Sequence, residues 1–61
     1  MTDVEMYIHQ QTDRAILASD TGDVEDAVWL PLPLVEVAPI AGRVSVTVTI
    51  PDWLAQREGL I

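Results

Sequence analysis

From Arg43 to Ile50 the chain alternates without a break. Val44, Val46, Val48 and Ile50 interleave with Arg43, Ser45, Thr47 and Thr49. Successive side chains on a strand point to opposite faces, so this pattern predicts one strand with a β-branched face turned inward and a Ser/Thr face turned to water. It is the clearest element in the chain, and it makes the fold a β one. The next residue is Pro51, which suits the first turn of a helix because its missing N–H has no intrahelical partner to lose. Asp52 places negative charge at the positive end of that helix. Gly59 stands where a left-handed C-terminal cap is needed, with Leu60 following to cover the last turn. These signals predict a two-turn helix from Pro51 to Glu58. A helix so short needs tertiary support, which Trp53, Leu54 and the Leu60–Ile61 tail are expected to give.

The N-terminal half reads as a hairpin. Val4, Met6 and Ile8 alternate with Glu5, Tyr7 and His9, giving a first strand, and Gln10 to Asp13 is polar and turn-like. Arg14 to Ser19 is apolar on both faces and is therefore expected at an internal position of the sheet. Asp20-Thr21-Gly22-Asp23 is a turn in which glycine supplies a positive φ. A third strand is expected over Asp26 to Leu30. Pro31, Pro33 and Pro39 forbid a long helix or a central strand in the following segment, but Leu34 to Val37 can form a short edge strand. The sum is an α+β, mainly β, single domain over residues 1–61. It has four or five short antiparallel strands forming a curled sheet or small open barrel, with a short C-terminal helix.

A chain of 61 residues with this pattern has little interior. It has no Cys to form disulfides and one His, so neither a disulfide nor an ordinary zinc site can staple it. Hydrophobic residues nevertheless make up 49% of the chain, an excess that points to a homodimer or an apolar face kept for a partner. Ten carboxylates against three arginines and no lysine give a net charge of −7. Tight phosphate binding depends on Lys and Arg, so direct binding to nucleic acid or to an anionic membrane is excluded, and a protein partner with a basic surface is favoured. No apolar run is long enough to span a bilayer, and Met1-Thr2-Asp3 lacks the basic start of a signal peptide. The expected location is cytoplasmic.

The segment Thr49-Ile50-Pro51-Asp52-Trp53-Leu54-Ala55-Gln56-Arg57-Glu58-Gly59-Leu60 resembles the C-terminus of a group of small bacteriophage and prophage proteins. Those chains also carry an acidic hairpin before a Trp-aliphatic-Pro step, as in Ala27-Val28-Trp29-Leu30-Pro31. The resemblance covers about half of the chain in two blocks and departs from the pattern at Leu32-Pro33-Leu34. It implies a phage context and, through the habits of short acidic phage proteins, an inhibitor of a host complex such as an anti-CRISPR protein.

Two surfaces are candidates for binding. The first is acidic: Asp20, Asp23, Glu25 and Asp26 gather four carboxylates in seven residues around Gly22. They form either a solvated turn or a docking element for an arginine-rich groove. Their order does not match a calcium-binding loop. Glu5 and Glu36 extend this patch if their strands lie beside the hairpin, although the outward face of the strand at 43–49 carries no acid. The second surface is apolar: Leu30, Leu32, Leu34 and Ile40 flank the prolines and serve either as core cover or as a dimer or partner contact. Trp29 and Trp53 are expected in the core. His9 is expected as an exposed strand residue, since catalysis needs an orienting carboxylate and a nucleophile within reach and no nucleophile stands out. No triad, phosphate loop or metalloprotease helix is present, and neither an enzyme nor a cofactor is expected. The functional reading is a phage-encoded acidic binding protein that inhibits a host protein complex, such as a CRISPR or other nucleic-acid-handling system, by occupying a site. The alternative is a homo-oligomeric structural or assembly module.

Overall fold

A computed structural model describes all 61 residues. Five strands form one open antiparallel sheet: β1 (Thr2–Gln11), β2 (Ala15–Ser19), β3 (Val28–Pro31), β4 (Glu36–Pro39) and β5 (Val46–Ile50). Single 3₁₀ turns, Val24–Asp26 and Leu32–Leu34, flank β3, and the helix α1 (Asp52–Arg57) closes the chain. The strand order is β3-β2-β1-β5-β4, so the expected mainly β sheet with a C-terminal helix is present and does not close into a barrel. The second strand is internal, between β1 and β3, as its two apolar faces require.

The central strand changes partner halfway along. Thr2 to Met6 pair with β5, from Thr2 opposite Ile50 to Met6 opposite Val46. Tyr7 to Gln11 pair instead with β2, from Tyr7 opposite Ser19 to Gln11 opposite Ile16. Within this second half, Ile8 faces Ala18 and Gln10 faces Leu17, leaving His9 as the extra residue of a β-bulge. An extra residue bends the bulged strand and increases its twist.

The inward residues follow the period of two. Met6 on β1, Ile16 and Ala18 on β2, Leu30 on β3, and Val48 and Ile50 on β5 are fully buried, together with Leu54 and Ala55 of α1. Val35 joins the same cluster from the β3–β4 connection, and Val4, Ile8, Val28, Leu32, Val46 and Leu60 pack around it. The helix ends as its glycine predicts. Gly59 has φ 74°, Gly59 N–H donates to Gln56 at 3.2 Å, and Leu60 N–H reaches back to Ala55 at 2.8 Å. Those two bonds satisfy the last carbonyls and bring Leu60 onto the core.

Several boundaries differ from the sequence reading. The alternating segment enters the sheet only at Val46, because β1 leaves β5 for β2 after Met6 and the ladder has no partner beyond that point. Val44 therefore projects into solvent at 92% exposure rather than facing inward, while Ser45 is buried rather than solvated. The third strand starts at Val28, since Asp26 belongs to the preceding 3₁₀ turn. The edge strand begins at Glu36, later than expected, because Leu32 to Leu34 form a turn of their own. All four β4 residues are exposed, and Pro39 ends the strand at the sheet edge, where a missing N–H is tolerated.

Both tryptophans depart from the expected core positions. Trp29 is 48% exposed and Trp53 54% exposed. In β3 the inward positions belong to Val28 and Leu30, so the residue between them points the other way. On α1 the buried positions are Leu54 and Ala55, which leaves Trp53 outside.

Candidate functional site

The outer face of the sheet has two regions joined by β1. Across β1, β5 and β4 the register places Asp3, Thr49 and Glu36 in one row and Glu5, Thr47 and Ala38 in the next. Thr49 Oγ1 donates to Asp3 Oδ1 at 2.7 Å. Glu5 receives the Ser45 hydroxyl and both of its oxygens accept from Arg43 Nη1, at 2.9 and 3.1 Å. The Ser45 hydroxyl first, and then the Arg43 guanidinium, hold the Glu5 carboxyl below its ordinary value. Glu5 is thus compensated within the chain. Glu36 lies on the edge strand farthest from β3, so it joins Asp3 around Thr49 and does not extend the hairpin patch.

The other region is the outer face of β1, β2 and β3. Leu17 stands opposite Trp29, and Ser19 opposite Tyr7. Tyr7 is half-exposed, and its ring lies beside Gly22, whose φ is 88°. Ser19 is fully buried and its Oγ has two partners: it accepts the Gly22 N–H at 3.0 Å and sits 2.8 Å from His9 Nε2. His9, expected on the surface, is half-buried because the bulge turns it toward this hydroxyl. A histidine within reach of a serine is the geometry of a nucleophile and its base. Here the oxygen is enclosed and already holds a backbone amide, and the pair acts as a brace for the turn.

That turn begins the acidic segment. Asp20, Asp23, Glu25 and Asp26 are all exposed. Two of them shape the loop: Asp23 Oδ1 accepts the Glu25 N–H at 3.0 Å and starts the 3₁₀ turn, and Thr21 Oγ1 donates to Asp26 Oδ2 at 2.9 Å. None of the four pairs with a cation of the chain. Arg43 is committed to Glu5. Arg57 lies over the Trp53 ring at 5.4 Å and reaches Glu58 at 3.3 Å. Arg14 precedes β2, whereas the acidic segment follows it, so the length of that strand separates them. No group of three or more His, Asp or Glu side chains converges as metal ligands would.

The four apolar candidates do not form one surface. Leu30 is fully buried in the core and is unavailable to a partner. Leu32 is half-buried and packs against the same cluster. Leu34 is 42% exposed, and Ile40 is half-buried at the turn after β4, where its carbonyl accepts the Arg43 N–H. Trp29, expected in the core, lies on the outer surface instead. The Val28-Trp29-Leu30 alternation held the signal, because a strand that buries Leu30 must turn Trp29 outward.

No helix is long and apolar enough to cross a membrane. No protein-family model matches the chain, and no significant match is found among curated proteins or solved structures.

Proposed function

We propose that this chain is a small acidic binding protein that acts by occupying a basic site on a protein partner. The observation that supports this reading is the acidic segment Asp20 to Asp26, whose four carboxylates are exposed and paired with none of the three arginines. Uncompensated charge of one sign steers encounter with the opposite sign and sets which partners are rejected. In the phage context suggested by the C-terminal pattern, the partner is a host complex that handles nucleic acid, whose basic groove the chain covers. The test is capture from a bacterial lysate on the tagged protein, followed by mass spectrometry, at low and high salt. A host nucleoprotein complex held at low salt and released at high salt is expected. Charge reversal at Asp23, Glu25 and Asp26 to Lys should abolish capture. Capture that persists unaltered rules out the acidic segment as the contact.

A second reading, a homo-oligomeric accessory module, is favoured by the exposed aliphatic side chains on the β4 side, Leu34 and Val37. Light scattering separates the two. A salt-resistant oligomer that Leu34→Ser dissociates supports the module, whereas an unchanged mass after that substitution excludes this contact.

A further inference from the structure

We infer that the outer face of β1, β2 and β3, centred on Trp29, docks an arginine-bearing segment of a protein; this rests on the basic-partner reading above and specifies its chemistry. The Gly22 turn covers this face at Ser19, and the part around Trp29 and Leu17 is left unpartnered within the chain. The core takes the opposite side of these strands through Met6, Ile16, Ala18 and Leu30, and α1 packs onto that core through Leu54 and Ala55. What remains outward is Trp29 at 48% exposure and Tyr7 at 37%, with Leu17 half-buried beside Trp29 across the β2–β3 ladder. Exposed Trp and Tyr of this kind are the residues on which interface energy concentrates.

Charge complementarity selects the occupant. The acidic segment packs Gly22 against Tyr7 at one side of the face and, at the other, runs into β3, with Asp26 three residues before Trp29. An apolar or anionic partner would have to desolvate against these carboxylates, whereas a cationic one is drawn to them. The chain itself shows the arrangement that satisfies such a combination. On α1, the Arg57 guanidinium lies 5.4 Å from the Trp53 ring centroid while its Nε meets Glu58 at 3.3 Å. Trp29 has the same kind of aromatic surface with carboxylates nearby in the chain, and no arginine of this protein stacks on it. Arginine is favoured over lysine because its planar, weakly hydrated guanidinium stacks on an indole and still offers N–H groups to carboxylates at its rim.

The test uses the full chain carrying Trp53→Phe, so that Trp29 is the sole indole, titrated at low salt with two peptides of equal length and charge. One alternates arginine with serine, the other lysine with serine. The arginine peptide should bind about two- to fivefold more tightly and change Trp29 emission. Trp29→Leu, checked for a native far-UV spectrum, should bring the two peptides to equal affinity while keeping the salt-sensitive part. Equal affinities with Trp29 present, or a preference that survives Trp29→Leu, overturn the arginine assignment and leave the basic-partner reading intact. A dimer that Trp29→Leu dissociates overturns it too, in favour of a second copy as occupant. If neither peptide binds at low salt, both the assignment and the reading beneath it fall. The peptide comparison does not depend on the leucine variant folding.

Discussion

His9 and Ser19 meet at 2.8 Å, Nε2 to Oγ, at the one place where β1 carries a residue more than its neighbour. The hydroxyl also accepts the Gly22 amide, so a single buried oxygen ties the bulge of the central strand to the acidic turn. Ser19→Ala leaves an amide and an imidazole nitrogen without this partner. The expected cost is about 0.5–1.5 kcal/mol, the range for losing a typical hydrogen bond, because Gly22 and His9 keep access to water. Urea titration measures it, and faster hydrogen exchange at the Gly22 amide distinguishes a loosened turn from a general loss of stability.

Glu5 carries a pH dependence whose sign is fixed by its partners. Its folded-state pKa lies below the ordinary value because Ser45 and Arg43 stabilise the carboxylate. The folded state therefore binds fewer protons than the unfolded one near that value. The contribution is fully present above the unfolded pKa of about 4.3 and is lost as pH falls through the folded value. Asp52 acts in the same direction through the Thr2 hydroxyl and the N-terminal ammonium. Chemical denaturation followed from neutral to acid pH should show a fall in stability that is shallower in Glu5→Gln. An identical slope in that variant would remove Glu5 from the account.

Gly22 and its backbone are tied to the same turn. A residue with a Cβ at φ 88° is strained, and Gly22→Ala should destabilise the protein by about 1–2 kcal/mol. The added methyl would meet the Tyr7 ring at 3.5 Å, an ordinary contact, so the penalty is conformational and not steric. Thermal unfolding of Gly22→Ala beside Tyr7→Ala tests this. Removing the ring should not relieve the glycine substitution in the double variant.

Leu30 and Leu34 separate core from surface within one short segment. Leu30→Ala should cost about 2–5 kcal/mol by opening a cavity. That is a large share of the roughly 3–9 kcal/mol that a domain of this length can be expected to have. Leu34→Ser should stay within about 0.5 kcal/mol, since the side chain is already part-solvated. Comparable urea midpoints for the two variants would contradict the placement of Leu30.

What could be read from the sequence followed from short-range rules. Val46 to Ile50 and the Gly59 cap of α1 are each set by residues within a few positions, and the structure has both, whereas Pro51 stands one residue outside the helix as its N-cap. The places where the sequence reading departs depend on contacts far along the chain. Val44 continues the alternation faultlessly, yet it is excluded from the sheet because Tyr7 has turned to β2. Ser45 looks solvated until Glu5, forty residues away, is seen to receive its hydroxyl. Trp29 was misplaced for a different reason. Its bulk suggests the interior, but in a sheet of this size one face is all the core there is, and parity along the strand outweighs hydrophobicity. For the candidate surfaces, the clustering of the acids was plain in the sequence, whereas their isolation from every arginine required the fold.

The exchange of partners between Met6 and Tyr7 bears on how the chain comes together. One half of β1 completes the β2–β3 hairpin, which is local, and the other half awaits β5, the strand farthest from it along the chain. Neither three-stranded half owns a whole central strand, and without β5 the β1–β2–β3 meander lacks Val48 and Ile50 from its core and leaves half of β1 as a bare edge. The β1–β5 ladder closes nearly the entire chain into a loop, so it is expected to be the slow step of folding. Melting should then run in reverse as a single cooperative event, because losing β5 strips the outer half of β1 and uncovers Met6 at the seam.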